Sequence, residues 1–298
     1  MADAWSILGG TAFLGASGAL VYAGAVAGVV REAMKPERKT VGWALGRGLP
    51  SEPTAWGLRA REWMHEWNAD WKQALCPVFD LGEEDPNAPT AIVLHGFGRS
   101  RYDALSRLGP LIAHAQRFLM PDLPGHGDAQ GRGTRLGTDE DAFLAEFVSK
   151  HTSGPVLLVG HSLGATVAIH AALDARIQAR VRGIIALAPY ESLRTPLGAR
   201  LDLRGMPRRA LTGPSIAVLS RLGIRERSTR DAAARLACPL AVLAGADDPV
   251  TPLAEAKAIA EAARVHRLSV IPHARHDDFQ TLGREEMVAA AAWIAHRA

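Results

Sequence analysis

Two cysteines, Cys76 and Cys238, in 298 residues exclude a disulfide-dense scaffold and a four-ligand zinc site. Lysine is almost as scarce: five of the 34 basic residues are Lys and the rest are Arg. No H-E-x-x-H or comparable ligand spacing occurs, so the chain calls for no metal and no other cofactor. Neither charge dominates, since 34 basic against 31 acidic residues leave +3, and a nucleic-acid partner is not implied. With 48% apolar and 22% charged residues, the composition is that of a globular protein and excludes disordered and collagen-like classes.

One stretch lacks charge altogether. From Ala4 to Val30 there are 27 uncharged residues, followed by Arg31, Glu32, Lys35, Glu37, Arg38 and Lys39. As a helix this run reaches roughly 40 Å, enough for a hydrocarbon core of about 30 Å, and it predicts a single transmembrane helix over 4–30. A cleaved signal peptide fits less well, because the basic residues follow the run. The positive-inside rule then places the C-terminal bulk on the cytoplasmic side.

Residues 31–74 read as a connector rich in Gly and Pro, then a Trp-rich helix. Trp56, Trp63, Trp67 and Trp71 are spaced by seven, four and four, which puts them on one helical face. That face either rests on a membrane interface, where Trp is favoured, or packs on the following domain.

From residue 75 to 298 short apolar runs alternate with helical stretches. Strands are predicted at Thr90–Leu94, Arg117–Met120, Val156–Val159, Gly183–Leu187, Leu240–Leu243 and Leu268–Ile271. Helices are predicted near 101–115, 138–150, 163–175, 252–264 and 284–297. Strict alternation implies right-handed crossovers and a mostly parallel sheet with helices on both faces, with ligands beyond the strands' carboxyl ends.

The chemistry-bearing motifs fall there. Gly160-His161-Ser162-Leu163-Gly164 follows a strand and opens a helix, the G-x-S-x-G setting that exposes a nucleophilic serine on a tight turn. A serine needs a base and an orienting acid, expected downstream in the order acid, then histidine. After the strand Leu240–Leu243 stand Asp247 and Asp248; Asp248, ahead of Pro252, is favoured, with Asp247 and the more remote Glu191 as alternatives. After the last strand come His273 and His276, of which His276 has the longer reach to Ser162. Acyl transfer also needs oxyanion donors. The N–H of Leu163 is one, and Phe97, between Gly96 and Gly98, offers the other.

Together with His95-Gly96-Phe97-Gly98 and Asp122-Leu123-Pro124-Gly125-His126-Gly127, these motifs closely resemble the α/β-hydrolase superfamily, most of all its lysophospholipase and serine-aminopeptidase-like branch. The resemblance covers about residues 75–298. It implies an α/β-hydrolase fold with a short lid insertion, a triad of Ser162, Asp248 and His276, and oxyanion donors at Phe97 and Leu163. His95, His126 and His161 match loop-shaping positions, and Arg275 departs from the glycine more usual before the histidine. The lid position, about 190–237, holds ten Arg, no Lys and four acids, a local +6 suited to an anionic substrate, to lipid headgroups or simply to a solvated surface.

The expected activity is that of a membrane-anchored serine hydrolase cleaving a carboxylic ester, with a small-molecule or lipid acyl substrate. Amide or peptide hydrolysis and acyl transfer use the same residues. A non-catalytic binding protein of the same fold is expected to lack one of the three, and none is missing.

Overall fold

A computed structural model describes residues 4–69, 72–131 and 133–297, the side chains of 4–16, 69 and 72 excepted. Its centre is one sheet. Strands β1 (Ala60–Ala69) and β2 (Lys72–Gly82) form an antiparallel hairpin at one edge. Next come β3 (Thr90–Leu94), β4 (Arg117–Pro121), the two-residue β5 (Gln130–Gly131) paired to β2, β6 (Val156–His161), β7 (Val181–Leu187), β8 (Leu240–Gly245) and β9 (His266–Ile271). The order across the sheet is β1-β2-β4-β3-β6-β7-β8-β9, parallel from β4 to β9. A strand such as β3, buried at all five positions, is covered on both faces, as continuous apolar runs require.

The helices are α1 (Ala4–Met34), α2 (Val41–Leu45), α3 (Arg101–Leu105), α4 (Glu140–His151), α5 (Leu163–Ala171), α6 (Arg194–Leu203), α7 (Arg208–Arg221), α8 (Thr229–Ala234), α9 (Leu253–Ala262) and α10 (Arg284–Ala295). Alternation along the strands sorts the core into two layers. Ile92 and Leu94 face α4, α5 and α9, while Ala91 and Val93 face α3 and α10. The single helix expected over 101–115 is instead α3 followed by a 3-10 turn at Gly109–His114, because Pro110 cannot donate into a continuous helix.

Two expectations need correction. The Trp-rich segment is not a helix: Trp63 and Trp67 lie on β1, and Trp56 ends a short 3-10 turn. A spacing of four is a multiple of two as well as near the helical period, so both readings put these indoles on one face. That face packs on α4, where Trp63 stacks on Phe147 at 5.9 Å and Trp67 meets Phe143 edge-on at 5.5 Å. Trp71 lies outside the described residues. The sheet therefore begins at Ala60, ahead of the expected boundary at 75.

The second correction concerns residues 4–30. They are helical within α1, but among the described residues no helix is long and apolar enough to cross a membrane. The side chains of 4–16 lie outside the description. Further along, Val26, Val29, Val30 and Ala33 are buried against Leu197 and Leu201 of α6 and Leu211, Ile216 and Leu219 of α7. The end of the run is apolar because protein covers it. Tyr22 donates to the Ala210 carbonyl at 2.7 Å and Arg204 pairs with Glu32, fixing α1 to the same helices. The single-pass placement, and the cytoplasmic side inferred from it, are not retained.

Candidate active site

The carboxyl ends of β3, β6, β8 and β9 place the predicted residues. Ser162 sits between β6 and α5 with φ 52° and ψ −111°, a positive φ that a residue with a side chain rarely holds. Close approach explains the glycines two positions away. A Cβ on Gly160 would meet the Gly164 backbone at 2.3 Å, and one on Gly164 would meet the His95 carbonyl oxygen at 2.6 Å. The Ser162 N–H donates to the Leu187 carbonyl at 2.8 Å, pinning the turn to β7.

His276 Nε2 lies 3.0 Å from Ser162 Oγ, and its Nδ1 lies 2.8 Å from Asp248 Oδ2. A carboxylate only accepts, so Nδ1 carries the proton and Nε2 presents its lone pair to the serine hydroxyl. Asp248 also accepts from the Val250 N–H (2.7 Å), the Thr251 N–H (2.9 Å) and the Thr251 hydroxyl (2.6 Å). Burial works against its charge, but hydrogen bonds from His276 and Thr251 outweigh burial and hold its pKa below the usual carboxylate range.

The alternatives are elsewhere. Asp247 is exposed and lies 3.7 Å from His273, which is 90% exposed in its side chain. Glu191 accepts from the Ser228 hydroxyl and the Arg230 N–H at the start of α8. Arg275 is accommodated because His273 takes the left-handed turn (φ 59°) and the Arg275 N–H donates to Asp278.

The other histidines tie loops together. His95 Nε2 accepts from the Leu123 N–H at 2.9 Å, so its Nδ1–H donates to the Gly96 carbonyl. His161 Nε2 donates to the His276 carbonyl at 2.7 Å, and burial pushes its pKa down to about 3. The N–H groups of Phe97 and Leu163 have no protein acceptor among the described residues, leaving both free beside Ser162.

Two cavities meet at Ser162. One is a narrow apolar slot of about 60 Å³, walled by Val29, Ala33, Leu136, Leu163, Leu197 and Leu201. The other, about 520 Å³, is a polar vestibule reaching His276, Arg47, Arg99 and Arg275.

Residues 91–291 match the family model described as Alpha/beta hydrolase family. The chain belongs to the alpha/beta hydrolase family. Among curated relatives, this alpha/beta hydrolase is 28% identical over 231 residues to a pimeloyl-[acyl-carrier protein] methyl ester esterase of Chromobacterium violaceum, a match over 64% of this chain and 88% of that protein. Against other curated relatives it spans only 9% to 37% of their length. Of solved structures, the Pyrococcus furiosus esterase Pf2001 aligns with a TM-score of 0.64 at 16% identity, covering 83% of this chain and 96% of that one. A membrane phospholipase A aligns with a TM-score of 0.61 at 18% identity, over 98% and 99%. At these identities the structures share the fold with this hydrolase. The phospholipase's coverage carries the likeness into the region before β1.

Three features of this hydrolase's site escaped sequence reasoning. Thr251 was readable, because Asp248-Pro249-Val250-Thr251 before Pro252 is a side-chain-capped turn. Val29 reaches the slot from the run expected to span a membrane, Ala33 from the connector expected after it, and Arg200 on α6 from a loosely patterned insertion. None of these has a local signal.

Proposed function

We propose that this alpha/beta hydrolase is a serine esterase that cleaves a carboxylic ester through an acyl-enzyme, with Ser162 as nucleophile, His276 as base and Asp248 as orienting acid. The observation that carries the reading is the hydrogen-bonded chain from Asp248 through His276 to Ser162, ending beside two free N–H groups at the mouth of an apolar slot. The relative named as a methyl ester esterase points to the same reaction.

In this mechanism Ser162 Oγ attacks the ester carbonyl carbon while its proton passes to His276 Nε2. The carbonyl oxygen becomes an oxyanion facing the Phe97 and Leu163 N–H groups, each such donor being worth about 3 kcal/mol in the transition state. As the C–O bond breaks, Nε2 returns the proton to the departing alcohol. Water then attacks the acyl-enzyme, giving a proton to Nε2, and the acid leaves as that proton goes back to Ser162. Asp248 stays ionised throughout and balances the imidazolium.

The test is labelling with a fluorophosphonate probe. Wild type is expected to label at Ser162, and Ser162→Ala, folded to the same degree by circular dichroism, is expected not to. Equal labelling of the two proteins would refute the assignment.

A further inference from the structure

The slot and the vestibule share Glu32, Phe97, Ser162, Arg200 and Arg204, so a molecule with its ester at Ser162 extends into both. The slot takes an apolar acyl group. The vestibule is different: Glu37 pairs with Lys39, Asp277 with Arg99 at 2.6 Å, Glu32 with Arg204, and Asp278 accepts from the Arg275 N–H. Every one of these acids is engaged. Among the described residues that line the vestibule, the guanidinium groups of Arg47, Arg200 and Arg275 have no carboxylate partner.

Arg200 is the inner one. It extends from α6 over the Phe97 ring, with its guanidinium carbon 4.8 Å from the ring centre, and it lines both cavities with Ser162. Burial depresses its basicity, with the nearby cations Arg99 and Arg204 adding to that effect and Asp277 opposing it. A half-buried guanidinium without an acid is costly unless something supplies one. Its planar fork matches the two oxygens of a phosphate or carboxylate.

We infer that Arg200 is a specificity-determining residue that binds an oxyanion on the alcohol half of the ester, so that the enzyme selects acyl esters carrying a negative charge beside the scissile bond. The inference rests on the esterase reading. The acyl chain lies in the slot, the alcohol faces the vestibule, and the anion meets Arg200 beside the oxyanion donor Phe97.

The experiment compares kcat/KM for three butanoate esters, of glycerol, of glycerol 3-phosphate and of glycerate, in wild type, Arg200→Gln and Arg200→Lys. Fluorophosphonate labelling of each protein is run in parallel. Wild type is expected to prefer at least one anionic ester over the neutral one by tenfold or more, and the better anion identifies phosphate or carboxylate. The anionic-to-neutral ratio is expected to fall at least tenfold in Arg200→Gln and to be partly kept in Arg200→Lys, with the loss in KM. A ratio unchanged in Arg200→Gln overturns the inference, as does a labelled wild type that shows no anionic preference or cleaves none of the esters. A wild type that does not label overturns the esterase reading itself.

Discussion

Asp248 and Asp247 are neighbours in the chain with the same chemistry, and their surroundings separate them. The Asp248 side chain is buried, accepts from Val250 and Thr251, and faces His276 Nδ1; Asp247 is exposed beside an exposed histidine. In the proposed mechanism the Asp248 carboxylate fixes the tautomer and balances the imidazolium, and Asn puts an amide in its place. Asp248→Asn is therefore expected to lower kcat on a simple ester by about 10³- to 10⁴-fold, while Asp247→Asn stays within about twofold. Steady-state kinetics on both variants decides the matter, and equal losses would remove Asp248 from its assigned role. The serine, aspartate and histidine were legible because each must follow a particular strand in a particular order. Arg200 was not, because its place depends on how α6 folds back over the slot, and no local pattern records that.

At the scale of elements, parallel strands such as Thr90–Leu94 announce themselves, since burial on both faces demands an unbroken apolar run. The two misread segments share a cause: an apolar pattern states that a face is covered but not what covers it. For β1 the cover is α4, and for the end of α1 it is α6 and α7. Burying a Val side chain stabilises by about 1.5 to 3 kcal/mol whether protein or lipid takes the place of water, so the residues alone cannot distinguish the two. The packing gives α1 a place in the site. Val29 and Ala33 lie one turn apart and wall the slot together with Ser162. Ala33→Phe adds a ring to a space of about 60 Å³ and is expected to shorten the accepted acyl chain. On a 4-nitrophenyl ester series, kcat/KM for octanoate should fall at least about tenfold relative to acetate, by analogy with the cost of overfilling a packed pocket. An unaltered chain-length profile would show that α1 does not contact the acyl group.

Across the whole molecule, charge is unevenly placed. The insertion at 190–237 carries +6 and supplies Arg200 and Arg204 to the site, while the remaining chain is slightly acidic. Beneath that surface lie neutral histidines, and these make stability depend on pH. His65 on β1 is 2% exposed, lies 3.0 Å from His151 and meets Phe143 and Phe147 edge-on. Burial, reinforced by the neighbouring His151, pushes its pKa down to about 4 from an unfolded value near 6.5. A folded pKa below the unfolded one means that, between pH 6.5 and 4, the unfolded chain binds a proton the native state excludes. Stability contributed by neutral His65 is therefore present above pH 6.5 and lost as pH falls through this window, by about 1.4 kcal/mol per pH unit. His126 and His161, both pushed down to about 3, act in the same sense, whereas Asp122 and Glu140, raised by burial, act in the opposite one. A variant at His65 cancels these other groups in the comparison, and Phe suits an aromatic neighbourhood remote from Ser162. Urea unfolding of wild type and His65→Phe at pH 6.5, 5.5 and 4.5 should show the variant losing stability more slowly on acidification, by about one proton's worth, or about 1.4 kcal/mol per pH unit. Equal slopes for the two proteins would mean that His65 takes up its proton without unfolding the hairpin's packing on α4.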